Sequence, residues 1–255
     1  MQAYGAGFAR IYNLRWGSFA QQLAPRLHAY YQSTPVGQVN RKVLDLCCGT
    51  GQLAVHFLDH GYQVTGLDLS EPMLEYARAN AAPYLLAGQA RFVRGDAADF
   101  QLDETFGLVV STFDALNHLP DMASLTGCFG CVFSHLAGGG IFIFDLNTRL
   151  GLKRWNSISV EDTDEMTLIN RAVYDEEAGR AYTRISGFYP AGDGLYSRFE
   201  ETAYNTAFDL EEVRKALLDV GFARVHFARS QDLTQPVEEP ENESRIFVVA
   251  SKGEL

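Results

Sequence analysis

Positive charge, cysteine and long apolar runs are all scarce in this sequence. Lys and Arg number 21 against 32 acids, a formal net charge of −11. Proteins that bind nucleic-acid backbones draw most of their affinity from clustered Lys and Arg. No basic run is present, which argues against a general nucleic-acid binder. No apolar stretch approaches the length needed to span a bilayer. The start, Met1 to Arg10, lacks the basic and then continuously apolar pattern of a signal peptide. The expectation is a cytoplasmic protein with no membrane partner. The four cysteines are Cys47, Cys48, Cys128 and Cys131. The last two have the spacing of half a zinc or redox site. They lie in a segment, 121–133, that reads as a helix, where they are small buried residues one turn apart. Cys47 and Cys48 are adjacent and point different ways. No metal site is expected. There is no internal repeat and no low-complexity segment.

What is there is enough for one domain with an inserted part: 255 residues, 47% of them hydrophobic. The chain is organised around Val43-Leu44-Asp45-Leu46-Cys47-Cys48-Gly49-Thr50-Gly51-Gln52-Leu53-Ala54. An apolar run carrying an acid passes through small residues and glycines and becomes helical. Such a pattern reads as a buried strand, a tight turn and a helix N-terminus. Glycine at 49 and 51 lets the backbone approach a ligand with no Cβ in the way. Free N–H groups at the helix start give that ligand a polar, slightly positive wall. Turns of this kind bind nucleotides or nucleotide-like cofactors.

Around the turn, short apolar runs alternate with helical patterns. Strands are expected at 42–46, 63–67, 90–94, 107–111 and 140–145, with helices at 51–60, 71–80 and 121–136. That alternation predicts a doubly wound α/β fold, a mostly parallel sheet with helices on both faces. Residues 157–208 change to strand-like runs separated by Asp/Gly/Pro-rich turns, predicting an antiparallel β meander inserted after the fifth strand. A helix follows with Asp209 as N-cap, Glu212 at its third position and Phe208 placed against Val213. Two last strands, 223–229 and 245–251, are too close for a crossover helix and must pair antiparallel. The expected sheet therefore has seven strands, the last antiparallel. Ahead of it all, Tyr4, Phe8, Ile11, Tyr12, Trp16, Phe19, Leu23 and Leu27 recur at helical spacing. Gly5, Gly7 and Pro25 predict two shorter helices rather than one. Packing on the domain is expected of most of this stripe, with Tyr12 and Trp16 as candidates for a lid.

Asp45, Asp68 and Asp96 sit at or just past the ends of the first three strands, where open α/β sheets bind ligands. Asp68 comes about twenty residues after the turn, the place of an acid that accepts from ribose hydroxyls. Asp96 could accept from an adenine amino group, and Asp45 could hold the turn or pair with a cationic ligand tail. Taken with 64–74 and 92–97, the stretch 43–54 resembles the class I S-adenosylmethionine-dependent methyltransferases. The resemblance spans about 41–150 and, through the terminal strand pair, 209–251. It implies that S-adenosyl-L-methionine is the cofactor and that Asp68 binds both ribose hydroxyls. It implies further that Leu69 and Met73 pack on the adenine, that Asp96 and Ala97 meet its edge, and that Cys47, Cys48, Gly49, Thr50 and Gly51 support the methionine part. Cys47 stands where the family pattern has a glycine. A dinucleotide-dependent dehydrogenase is the rival for a glycine turn followed by an acid. Its third glycine is replaced here by Ala54, and the second acidic motif with the closing strand pair favours the methyltransferase.

The loop Ser111 to Pro120 follows the fourth strand over the middle of the sheet. By the resemblance it passes the methyl group and faces the acceptor, so Asp114, Asn117 and His118 are the candidate catalytic residues, with Thr112 and Phe113 beside the cofactor. His118 has an unperturbed pKa near neutrality and could take a proton, although placement of the acceptor is the role favoured for it. Phe113, Tyr12 and Trp16 could offer ring faces to the sulfonium. The insertion after the fifth strand looks like that of glycine and sugar-amine N-methyltransferases, where it roofs the acceptor pocket. Arg171, Tyr174, Tyr182, Arg184, Tyr189, Tyr196 and Arg198 are candidate acceptor contacts, of which alternation turns only about half inward. The expected organisation is a helical lid at 1–40, a Rossmann-like cofactor domain at 41–150 and 209–255, and an inserted subdomain at 151–208. The expected activity is methyl transfer to nitrogen or oxygen of a small molecule by a monomer or homodimer. RNA or protein methylation, or a cofactor-binding scaffold without catalysis, are the alternatives.

Overall fold

The structure is a computed structural model and describes residues 4–253. Residues 1–3 and 254–255, at the outer bounds of the expected lid and cofactor domain, lie outside the described residues. Three helices lead: α1 (Ala6–Arg15), α2 (Gly17–Gln32) and α3 (Pro35–Val39). The alternating core follows as β1 (Lys42–Leu46), α4 (Gln52–Asp59), β2 (Gln63–Asp68), α5 (Glu71–Asn80), α6 (Ala82–Leu86), β3 (Ala90–Arg94), β4 (Phe106–Ser111), α7 (Met122–His135), β5 (Leu136–Asn147) and the short α8 (Arg149–Leu152). The meander is β6 (Ser157–Asp162), β7 (Thr167–Asp175), β8 (Arg180–Gly192) and β9 (Leu195–Thr206). The chain closes with α9 (Leu210–Val220), β10 (Arg224–Arg229), β11 (Asp232–Pro236) and β12 (Arg245–Ser251).

The main sheet runs β11-β10-β12-β5-β4-β1-β2-β3. The strands β3, β2, β1, β4 and β5 are parallel, and β12 runs antiparallel beside β5 and β10. Period-two alternation sorts the side chains into two layers. Leu44 and Leu46 of β1, Phe142 and Phe144 of β5, and Val248 of β12 face α7 and α9. Their neighbours Val43, Ile141, Ile143, Phe247 and Val249 face α2 and α4. The expected doubly wound sheet is thus present, with one strand more than the seven anticipated. The addition, β11, is a short edge strand that pairs with β10 through a bulge. Its one buried apolar residue is Leu233, and its end residue Pro236 lacks an N–H that an edge position does not need. An acidic, proline-bearing stretch with a single apolar side chain gives no strand pattern to read.

The N-terminal break falls at Trp16, not at Pro25, which lies inside α2. Pro25 is on the solvent side, and the carbonyl its missing N–H leaves unbonded is that of exposed Gln21. That carbonyl is open to solvent, so its loss of an intrahelical partner does not break the helix. α1 does not pack on the main sheet. Its Phe8, Ala9 and Ile11 form a third apolar cluster with Met73 of α5 and with Met166, Leu168 and Ile185 of the meander. The side chain of Asn13 ties α1 to the glycine turn region, accepting from Gln52 and from Asn80 at 3.0 and 2.8 Å. The helix is therefore a roof over the carboxyl ends of the strands, tied to both sides.

Helix ends follow their sequence signals. The Ser70 hydroxyl caps α5 on the N–H of Met73, and Gly61 leaves α4 at φ +78°. Asp209 caps α9 by accepting from the N–H groups of Glu211 and Glu212, both at 3.0 Å. Asp209→Ala is expected to lower the unfolding free energy by about 1 kcal/mol. An unchanged urea midpoint at unchanged slope would remove this cap from the account.

Candidate active site

A cavity of about 400 Å³ opens over the carboxyl ends of β1, β2 and β4 and is closed above by α1 and the meander. That size suits a small-molecule site. Twelve of the eighteen residues singled out from the sequence line it: Tyr12, Trp16, Cys47, Gly49, Asp68, Leu69, Met73, Ala97, Thr112, Phe113, Asp114 and His118. On the turn side, the Asp68 carboxylate accepts from the N–H groups of Gly49 and Ser70, each at 2.8 Å. Burial pushes its pKa up, and these N–H groups oppose the shift. Each oxygen has a second lone pair, so the carboxylate can still accept from a ligand. Beside it, Leu69, Met73 and Ala97 form an apolar slot. A Cβ at Gly49 would lie 3.4 Å from the Tyr12 ring, so the bare backbone leaves a narrow passage beneath α1. An acceptor carboxylate, an apolar slot and a glycine-lined passage fit the ribose, adenine and methionine parts of S-adenosylmethionine.

The turn takes the usual glycine course despite its thiol. Cys47 has φ +59°, a left-handed backbone that costs a non-glycine residue roughly 1–2 kcal/mol. Burial, with Asp68 adding to it, pushes the Cys47 thiol well above its ordinary pKa, so it is neutral and no nucleophile. The other residues expected at the turn lie outside the cavity lining. Asp45 is 3% exposed, and burial raises its pKa to about 8 against the opposing N–H of Ala54. It lies beside the start of α4, away from the cavity. Cys48 packs in the core on the α4 side, and the Thr50 hydroxyl bonds Gln52 at 2.6 Å. Gly51 has φ +81°, and a Cβ there would meet Ala77 of α5 at 3.0 Å. Asp96 accepts from the N–H of Ala98 at 2.8 Å, which shapes the loop that presents Ala97.

The other side of the cavity is built on the loop after β4. Phe113 and Asp114 both have positive φ, +66° and +50°. Two such residues in a row are strain that surrounding structure must hold. The Asp114 N–H donates to Asp145 at 3.1 Å, and its side chain accepts from Arg245 at 2.6 Å and from Asn205 at 3.2 Å. Arg245 also pairs with Asp145. Burial works against the Arg245 charge, but the two carboxylates outweigh it and hold the guanidinium firmly protonated. Asn117 is fully buried and does not line the cavity. Its amide donates to the carbonyls of Asn147 and Thr206 and accepts from the Asn147 N–H, so its polar atoms are all committed to joining the loop to β5 and β9.

His118 faces the cavity with one nitrogen fixed. Its Nδ1 lies 2.8 Å from the Tyr204 carbonyl, which can only accept, so Nδ1 carries the proton. The Nε2 lone pair then receives the Tyr4 hydroxyl at 3.1 Å. Burial lowers the His118 pKa against the pull of Asp114. Burial and the nearby carboxylates of Asp114 and Asp68 drive the Tyr4 hydroxyl well above its ordinary value. Both members of the pair are neutral at pH 7.

The meander presents the face opposite to its candidate arginines and most of its candidate tyrosines. Asn170, Ala172, Thr183, Ile185, Ala203 and Asn205 line the cavity, with Arg154 and Trp155 from the connecting segment. Ala172, Thr183 and Ala203 form one cross-strand row. Arg171, Tyr182, Arg184, Tyr196 and Arg198 are odd–even neighbours of these positions and point away, and Arg184 and Arg198 pair with Glu200 outside. Tyr189 lies under Arg10, and Tyr174, on the lining face, falls beyond the cavity. Among the residues the sequence reading did not place here are Phe8, Arg154, Trp155, Asn205 and Arg245. Tyr4 and Phe8 were legible as members of the aromatic stripe.

Residues 43–140 match the family described as Methyltransferase domain. A putative methyltransferase of Bacillus subtilis is 28% identical over 218 residues, 83% of this chain and 84% of the relative. A dTDP-3-amino-3,4,6-trideoxy-alpha-D-glucopyranose N,N-dimethyltransferase of Streptomyces venezuelae is 28% identical over 192 residues, 70% of this chain and 78% of the relative. Among solved structures, an S-adenosylmethionine-dependent methyltransferase from Clostridium acetobutylicum superposes with a TM-score of 0.79 at 24% identity, covering 97% of this chain and 98% of the other. A sugar N-methyltransferase from a Streptoalloteichus species gives 0.77 at 22% identity, covering 100% and 96%. Residues 43–140 thus carry a methyltransferase domain, and the chain as a whole has the fold of S-adenosylmethionine-dependent methyltransferases.

Proposed function

We propose that the chain methylates nitrogen or oxygen of a small polar acceptor, with an amine on a sugar as the best-fitting class. The observation that carries this reading is the single cavity shared by the glycine-turn residues, His118 and the inner face of the meander. In this reading α1 is the lid, 41–150 with 209–255 seats the cofactor, and 151–208 selects the acceptor. Asn170 Oδ1 and Thr183 Oγ1 are buried at the cavity with no hydrogen-bond partner among the described residues. Such orphaned oxygens suit an acceptor that brings hydroxyl or amine donors. Arg154 at the mouth suits a phosphate-linked acceptor of the kind named for the Streptomyces venezuelae relative. A roofed cavity and the acidic charge balance disfavour RNA or a protein surface as acceptor.

When bound, S-adenosylmethionine supplies a methyl group on a sulfonium, open to in-line attack. Asp68 would hold the ribose, Leu69, Met73 and Ala97 the adenine, and Cys47 and Gly49 the methionine part. The rings of Tyr12, Trp16 and Phe113 line the cavity where a cation gains from a π face. The acceptor must lose a proton as its lone pair forms the new bond to carbon. Tyr4 relays that proton, accepting it as its own passes to Nε2 of His118. Asp114 does not touch the acceptor; it is a positioning residue that sets the loop through Arg245, as Asn117 does through Asn147 and Thr206.

Asp68→Ala is expected to weaken S-adenosylhomocysteine binding by about 1.5–3 kcal/mol, read by calorimetry. Unchanged affinity would take Asp68 out of the site. His118→Gln is expected to lower kcat by about 100-fold at near-normal cofactor affinity. Neutral His118 is the working form, so activity rises with pH as the ring loses its proton. Because burial lowers that pKa, the acid limb of kcat/KM should lie below the ordinary histidine value and vanish in the variant. An acid limb that persists unchanged would leave His118 without a proton to accept.

A further inference from the structure

Three imidazoles meet between α2 and α4, clear of the cavity lining. His56 and His60 are four residues apart along α4 and its cap, and so share one face. His28 of α2 closes on them. Ring centroids are 4.4 Å apart for His56–His60, 4.6 Å for His28–His60 and 5.5 Å for His28–His56. One nitrogen from each ring can be chosen so that all three lie within 4.8 Å of one another.

Independent features of these rings point to a ligand. The Nε2 atoms of His28 and His56 are buried and have no hydrogen-bond partner among the described residues, and His28 is only 7% exposed. Buried ring nitrogens ordinarily find a partner. His60 Nδ1 lies 2.7 Å from the His56 carbonyl and therefore donates to it, leaving the lone pair on Nε2. An N–H fixed on a backbone carbonyl is how metal-binding imidazoles are held in the right tautomer. Burial, helped by the neighbouring His60 and His56, lowers the His28 pKa to about 4, and burial lowers that of His56. Both are neutral, and so competent as ligands, at pH 7.

We propose that His28, His56 and His60 bind a divalent transition-metal ion of the zinc class, with water completing the shell on the exposed His60 side. Neutral imidazoles suit zinc, copper and nickel, whereas magnesium and calcium take oxygen. A tetrahedral ion with Zn–N near 2.1 Å holds its nitrogens about 3.4 Å apart, so side-chain shifts of roughly 1 Å close the site. The carboxylate of Asp59, whose field favours the charged form of His56, offsets part of the ion's charge. Arg41, lodged over the Tyr62 ring, is the opposing cation. The ion would tie α2, which continues from the roof helix α1, to α4, whose N-terminus forms the glycine turn. Its role is then to brace the roof against the cofactor side, not to enter the chemistry.

The test is zinc chloride titrated into untagged protein by calorimetry, with thermal melting in excess zinc and cobalt as a spectroscopic substitute. The expected result is one ion per chain, a raised melting temperature and a cobalt spectrum without thiolate charge-transfer bands. Losing one hydrogen-bonded outer partner of a metal site costs about 10–100-fold in affinity. Loss of a ligand in His60→Gln, at an exposed position, should cost at least about 100-fold and abolish the melting shift. His56→Gln should behave alike and decides the matter if the first variant folds poorly, while His118→Gln should bind zinc as the parent does. No binding at millimolar zinc, undiminished binding in both cluster variants, or thiolate bands that assign the ion to cysteine would each overturn the proposal.

Discussion

The guanidinium of Arg245, gripped by Asp114 and Asp145, is the interaction on which the active face depends. It joins the first residue of the last strand to a carboxylate on β5 and to one on the loop after β4. The three side chains are largely buried, and removing one member of such a group costs about 3–5 kcal/mol because the remaining charge is left uncompensated. That energy has a local use. Phe113 and Asp114 hold left-handed backbones that each disfavour by roughly 1–2 kcal/mol, and the Asp114 N–H bond to Asp145 and the Asp114–Arg245 ion pair keep them there. The strained loop in turn sets the Phe113 ring against Tyr12 and Phe19 and delivers His118 beneath Tyr4. A strand at the far end of the sequence thus fixes the geometry of a loop 131 residues earlier.

The same dependence explains what could be read from sequence. The sheet and its two layers follow from runs such as Val43–Leu46 and from caps such as Ser70 and Asp209, all signals confined to a few neighbouring residues. The glycine turn was legible for the same reason, and even Cys47 follows the backbone path of a glycine there. What escaped are pairings across long separations. Arg245 reads as an ordinary strand-end charge until Asp145 and Asp114 stand beside it. Asn117 has the chemistry of an active-site amide, but the Asn147 and Thr206 backbone takes all of it. Asp45 and Asp96 have the right topological places and turn to the backbone of their own loops. In the meander, one step of strand parity exchanged Arg184 for Thr183 and Ile185 at the cavity. His56 and His60 show a ligand-like spacing in sequence, but only the fold supplies His28.

The cavity combines a cofactor side built from backbone and an acceptor side built from side chains. On the first, Gly49, Ala97 and the donors on Asp68 come from turns that the parallel sheet places together. On the second, His118, Tyr4 and the inward rows of β7, β8 and β9 come from three separate parts of the chain. The two sides meet only because α1 packs on the meander and α5 at once, through Phe8, Ile11 and Met73. In the proposed reading, acceptor choice can vary with the meander while the turn holds the cofactor. In the proposed reaction, the neutral Tyr4–His118 pair would supply a proton path without adding charge beside a cationic cofactor.

The central claim is that this cavity methylates a small polar molecule. The direct measurement is incubation of the protein with methyl-labelled S-adenosylmethionine and a cell extract, followed by separation of small metabolites from protein and RNA. The account predicts label in the metabolite fraction, in a compound one methyl heavier that carries an amine or hydroxyl, and none with Asp68→Ala. Label confined to protein or RNA, or no transfer by a protein that binds the cofactor, would contradict it.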